Sequence, residues 1–179
     1  MTTRYNTSIY HNIIGFFNGL KNKVTWFNLY RKTYSNYLDI ILNDFQKNYP
    51  IKGILRNNEI KILNSKDEIA LYSLLEIHKN VIYDEKNDYA SFDLSFFDYN
   101  LKKITTYGIK QNLDTLLAFN NGTYENLPVK NKVVIDIGAC TGDTSIYFAI
   151  RGAKKVIAIE PYPKNFEILK KNIKINNLE

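Results

Sequence analysis

Residues 133–160 read VVIDIGACTGDTSIYFAIRGAKKVIAIE, and no other stretch restricts the fold of this chain as tightly. VVIDI (133–137) is a continuous, mostly β-branched run, the pattern of a parallel strand buried on both faces. DIGACTGD (136–143) is the turn that follows it. TSIYFAIRG (144–152) reads as a helix closed by Gly152 as its C-terminal cap. VIAIE (156–160) is a second buried strand, followed by Pro161-Tyr162-Pro163. KNFEILKKNIKINN then reads as a helix with Phe166, Leu169 and Ile173 inward and lysines outward. Strand, loop, helix, strand and helix in this order predict a crossover unit of a doubly wound α/β sheet.

The loop carries the chemistry. Glycines at 138 and 142 let the backbone turn tightly and approach a ligand, while helix N–H groups point at an anion. Glu160 ends the second strand, 18 residues after Gly142, where an acid can accept hydrogen bonds from two ribose hydroxyls. Cys140 stands where a dinucleotide loop would carry its middle glycine. A pyrophosphate lies close against that position and favours a bare glycine. S-adenosyl-L-methionine has no pyrophosphate and tolerates a side chain there, its carboxylate facing the helix N-terminus. The plainer alternative is an α/β turn with no cofactor. A catalytic thiol at Cys140 is disfavoured, because no histidine lies near it in sequence to activate it.

These residues resemble the first half of the FkbM-like class I S-adenosylmethionine-dependent methyltransferases. The matching positions are Asp136, Gly138, Ala139, Gly142, Asp143, Gly152, Ala153, Ala158, Glu160, Pro161, Pro163, Asn172 and Asn176. The likeness is specific over about 47 residues and says little about residues 1–110. It implies that Asp136, Gly138 and Gly142 line the methionine part of the cofactor, with Glu160 on the ribose and Pro161 beside the adenine. Ala139, Cys140 and Asp143 complete the expected cofactor-binding set. Asp143 has an equally good plain reading, stabilisation of a helix N-terminus.

The resemblance further implies O-methylation of a small hydroxyl acceptor, such as a carbohydrate. It names no catalytic base. In that family the chain would stop before the third strand of a seven-stranded sheet. The expectation is therefore an incomplete Rossmann-like sheet and a chain inactive by itself. Two alternatives stand beside this reading. An archaeal-type tRNA guanine methyltransferase has a similar acid–helix–N-x-x-x-N segment, though its loop usually carries a phenylalanine-alanine-glycine sequence. A non-catalytic interaction protein is the other.

Upstream, the pattern predicts an α+β region. Ile9, Ile13, Phe16 and Leu20 recur at helical spacing over 8–21. A longer helix is expected over 25–47, with Phe27, Tyr30, Tyr34, Leu38, Ile41 and Phe45 on one stripe, ended by Pro50. IKGILR and EIKIL flank Asn57-Asn58, a hairpin signature. Ser65 and Glu68 form a capping box for a helix to about Lys79. His78, near its end, reads as a satisfied surface histidine. Phe92, Leu94 and Phe96 alternate with polar residues as a strand, Asp98-Tyr99-Asn100 turns, and 102–107 returns. A short helix over 113–120 leads to Asn121-Gly122. These changes of pattern divide the chain into 1–110, a linking segment 111–131, and 132–179.

With 24 Lys+Arg against 18 Asp+Glu, the net charge is +6. Such a balance suits nucleic acid as a partner, but no arginine cluster interleaves with aromatics, so solvated lysines are the plainer reading. No apolar run approaches the roughly 20 residues of a membrane span. A single cysteine fits a reducing cytoplasm. His11 and His78 supply no metal-ligand spacing, and no metal site is expected.

Overall fold

The structure, a computed structural model, describes residues 25–119 and 124–179. The expected helix over 8–21 and the break at Asn121-Gly122 lie outside the described residues. Two compact units divide the chain, Met1–Ile69 and Ala70–Glu179. The ranges 1–110, 111–131 and 132–179 follow changes of sequence pattern, a different criterion from compactness.

In the first unit the expected long helix is two helices. Residues 25–33 form α1 and Tyr37–Gln46 form α2. The chain breaks between them because its backbone is used elsewhere. Tyr34 makes an isolated antiparallel bridge to Leu55, and the Ser35 N–H donates to the Ile54 carbonyl at 2.8 Å. The Asn36 amide clasps the same strand, donating to the Lys52 carbonyl at 2.7 Å and accepting the Ile54 N–H at 2.9 Å. The break also rephases the apolar stripe. Tyr30, Tyr34 and Ile40 are buried, whereas Leu38 and Phe45 face solvent. Trp26 rests against Tyr30, with ring centroids 5.9 Å apart.

The hairpin pairs β1 (Ile51–Ile54) with β2 (Ile60–Leu63) antiparallel, and Asn58 takes a positive φ of 68° at its turn. Gly53 is required by close approach, since a Cβ there would lie 2.7 Å from Leu63 Cδ1. Helix α3 (Lys66–Ile77) begins with half of the expected capping box. The Ser65 hydroxyl accepts the Glu68 N–H at 3.3 Å, but the Glu68 carboxylate takes the N–H of Asn64, one residue earlier than expected.

The second unit holds an antiparallel sheet in the order β3 (Val81–Asp84), β4 (Tyr89–Asp93), β5 (Lys103–Tyr107). β3 has no expectation behind it. The strand expected through Phe96 stops at Asp93, whose carboxylate accepts the Ser95 N–H at 2.9 Å and turns the chain. Phe96 is consequently 88% exposed. His78 is half-buried with Nε2 lacking a hydrogen-bond partner, so it is not the satisfied surface histidine expected, and burial lowers its pKa.

Phe92, Leu94, Ile104, Ile109, Leu116 and Phe119 share one core with Ile146, Tyr147 and Ile150 of α5 (Asp143–Ile150). Leu116 and Phe119 come from the short α4 (Thr115–Ala118) and its C-cap. β6 (Val133–Ile137) and β7 (Lys155–Ile159) pair in parallel, Val133 opposite Lys155 and Ile137 opposite Ile159. α5 packs on one face of this pair, and α6 (Pro163–Ile175) packs against β5. The expected burial on both faces is therefore halved. Val133, Ile135, Ile157 and Ile159 are exposed, and Ile137 is 79% exposed.

Both helices end in Schellman caps. At α5, Gly152 (φ 86°) donates to the Ala149 carbonyl and Ala153 to that of Phe148. At α6, Asn177 (φ 53°) donates to Lys174 and Leu178 to Ile173.

Candidate functional site: the loop between β6 and α5

The loop begins where β6 ends, and the end of β7 anchors it. The N–H groups of Gly138 and Ala139 both donate to the Ile159 carbonyl, at 2.8 and 3.1 Å. Gly138, Cys140 and Gly142 have φ of 80°, 48° and 89°, so every second residue is left-handed. That conformation suits glycine and strains cysteine. A Cβ on Gly138 would meet nothing within 4 Å, so the backbone there faces open space. A Cβ on Gly142 would lie 3.2 Å from Leu169 Cγ, so that glycine also serves the close packing of α6. Ala139 is fully buried beneath the loop.

Glu160, just past β7, is tied to the loop. Its Oε2 accepts the Cys140 N–H at 2.8 Å and its Oε1 accepts the Tyr162 N–H at 2.8 Å. Pro161 beside it is exposed and precedes Tyr162, the N-cap of α6. Asp136 Oδ2 accepts the hydroxyls of Thr144 and Ser145, both at 2.6 Å. Asp143 is buried at the first turn of α5 and accepts the Asn112 amide at 2.9 Å. Burial pushes its pKa up to about 6, and the charges of Asp136 and Asp114 add to that, against opposing backbone hydrogen bonds. The Cys140 thiol is also pushed up, chiefly by burial, and its Sγ accepts the Asn165 amide at 3.5 Å. A raised thiol is the opposite of an activated nucleophile.

The structure thus gathers all eight expected residues, Asp136, Gly138, Ala139, Cys140, Gly142, Asp143, Glu160 and Pro161, around one loop. It adds residues that sequence reasoning missed. Asn112 donates to Thr141 Oγ1 at 3.2 Å as well as to Asp143, and Asn172 donates to the Thr141 carbonyl at 2.8 Å. Asn112 carries no signal in the sequence, whereas Asn172 belongs to the N-x-x-x-N pattern. Among the described residues no group of His, Cys, Asp and Glu could hold a metal ion, and no helix is long and apolar enough to cross a membrane.

Comparison with known proteins gives this geometry a class. The model of the TRM5/TYW2 methyltransferase domain matches residues 122–179. A Methanocaldococcus jannaschii protein assigned as a protein N5-glutamine methyltransferase is 44% identical over 65 residues, 36% of this chain and 31% of its own length. The tRNA (guanine(37)-N(1))-methyltransferase Trm5b of the same organism is 51% identical over 49 residues, 27% of this chain and 14% of its own. The ribosomal protein L11 methyltransferase of Carboxydothermus hydrogenoformans is 35% identical over 77 residues, 37% and 25%. The chain therefore spans less than a third of the length of each of these relatives. No solved structure matches it.

These matches correct two expectations. The FkbM-like class is replaced by a TRM5/TYW2 match, and no relative named here acts on a carbohydrate or small hydroxyl acceptor. The domain match covers the same stretch of chain, 122–179, that carried the FkbM-like resemblance. The methyltransferase-domain match covers about a third of the chain, and the parallel pair β6–β7 with α5 and α6 inside it has the arrangement of part of a class I α/β methyltransferase fold.

Proposed function

We propose that the protein containing this chain is an S-adenosylmethionine-dependent methyltransferase that modifies a guanine of tRNA. The carrying observation is the TRM5/TYW2 domain match over 122–179. The 51% identity to Trm5b over 49 residues and the net charge of +6 support it.

The loop residues fit the cofactor. Gly138 offers bare backbone to open space, where the methionine moiety would lie, and Asp136 and Gly142 would flank it. Glu160 keeps further lone pairs for the ribose hydroxyls, because each of its oxygens accepts only one main-chain N–H. Pro161, exposed beyond it, would border the adenine. Asp136, Asp143 and Glu160 put carboxylates around the loop, an environment suited to a cation and unfavourable to a pyrophosphate. Cys140 would hold the left-handed turn rather than react.

The cofactor supplies an electrophilic methyl group on a sulfonium. The chain's contribution to methyl transfer would be alignment, by fixing the loop against which the donor lies. The test is transfer of labelled methyl from S-adenosylmethionine by the whole protein, offered tRNA transcripts and, separately, ribosomal and release-factor proteins. Label in tRNA that disappears when the target guanine is replaced is the expected result. Label in protein glutamine or lysine, with none in tRNA, would overturn the substrate class.

A further inference from the structure

Asn172 and Asn176 form the N-x-x-x-N pattern near the end of α6, and both are buried, at 1% and 7% exposure. Four residues apart on a helix, their amides share one face. That face meets the free edge of β5. Asn176 Oδ1 accepts the Thr105 N–H at 2.8 Å, and its Nδ2 donates to the Thr105 carbonyl at 2.6 Å. Asn172 repeats the arrangement two residues along the strand, accepting the Tyr107 N–H at 2.6 Å and donating to the Tyr107 carbonyl at 3.1 Å. Alternate residues of a strand turn their main-chain groups to the same edge. Two carboxamides therefore stand where a neighbouring strand would, and the edge is satisfied without one.

The remaining amide hydrogens distinguish the two residues. Asn176 donates to the Asn172 carbonyl at 2.7 Å, within its own helix. Asn172 donates to the Thr141 carbonyl at 2.8 Å, inside the β6–α5 loop. Thr141 lies between Cys140 and Gly142, both left-handed, where no strand ladder fixes the chain. A second tie reaches the same place from the turn after β5, where Asn112 donates to Thr141 Oγ1 and Asp143.

We propose that Asn172 is a positioning residue that couples the edge of β5 to the β6–α5 loop, so that the antiparallel sheet sets the placement of the main chain from Gly138 to Gly142. Its consequence for the cofactor rests on the reading of that loop given above. The coupling itself does not. Asn176 makes the same bonds to β5 but none to the loop, and is an internal control.

Amide hydrogen exchange of the 179-residue chain, without ligand, tests it. Asn176→Ala should speed exchange at Thr105 and leave the loop amides unchanged. Asn172→Ala should speed exchange at Tyr107 and, about tenfold or more, at Ala139, Cys140 and Gly142. Equal loop exchange in the two variants would overturn the coupling. Gly138→Ala gives the reciprocal measurement without removing a core side chain, since alanine must adopt φ 80° in the loop while its Cβ meets nothing within 4 Å. It should speed exchange at Tyr107 but not at Thr105, and an unchanged Tyr107 would sink the proposal even where Asn172→Ala fails to fold. With S-adenosylmethionine as the probe, Asn172→Ala should weaken binding at least tenfold and Asn176→Ala less than twofold. If the whole protein without substitution binds none, the cofactor reading fails while the exchange result still decides the coupling.

Discussion

A buried carboxylate at the head of α5 makes Asp143 the residue with the clearest pH signature. Its folded pKa of about 6 stands above the ordinary 3.8, with burial the main cause. Between those values the folded state holds the proton more tightly than the unfolded state. Stability contributed by this group is thus greatest below about pH 4 and falls as pH rises to about 6, by on the order of 3 kcal/mol. Asp143→Asn should remove that fall, because the Asn112 amide and the helix N–H groups still find an acceptor. Urea midpoints at pH 4 and pH 7 check it, and a slope that survives the substitution assigns the shift to another group. At Gly138, valine would be strained at φ 80° and would fill the open space over the loop. Calorimetry should find no S-adenosylmethionine binding by Gly138→Val. Glu160→Ala should weaken binding by about 1.5–3 kcal/mol, the scale of hydrogen bonds to a charged group. It also frees the Cys140 and Tyr162 N–H groups that the carboxylate now accepts.

Among the elements, caps and breaks decide where helices stop. Gly152→Ala meets no close atom, its Cβ lying 3.6 Å from Lys130 Cγ, yet alanine must adopt φ 86°. A loss of about 1 kcal/mol in thermal unfolding is expected. Asn36→Ala removes two bonds to β1 and should cost about 1–3 kcal/mol in the first unit. The second unit's crossover was legible because its signals are local. VVIDI, the paired glycines and the final acid each name their own conformation. Gly152 likewise reads as a cap from its position alone. The division of the 25–47 helix was not legible, because Tyr34 and Asn36 break it by bonding residues 52–55, and helical periodicity carries no trace of that partner. β3 escaped notice for a related reason. VIYD gains its strand identity from pairing with β4, and Ile82 faces solvent where alternation would put polar residues. In the site, Asn112 was invisible because its role depends on where β5 delivers it.

For the whole molecule, charge and unit structure carry the remaining expectations. If tRNA is the substrate, lysines of a chain with net charge +6 release counterions on binding. Affinity should then fall by decades between about 50 and 200 mM salt for several phosphate contacts. Filter binding across that range checks it, and a flat profile would remove the electrostatic support for an RNA substrate. Trp26, stacked obliquely on Tyr30, is the single tryptophan of the sequence and lies in the first compact unit. Tyr147, Tyr99 and Tyr124, by contrast, gather in the second. The chain therefore carries a built-in optical label. Excitation at the red edge of the absorption band reports only residues 1–69, while far-ultraviolet dichroism sums both units. Because a domain of fewer residues in general buries a smaller fraction of its surface, the indole emission should shift at lower denaturant than the dichroism signal. Superimposable curves would mean instead that the two units melt as one cooperative body.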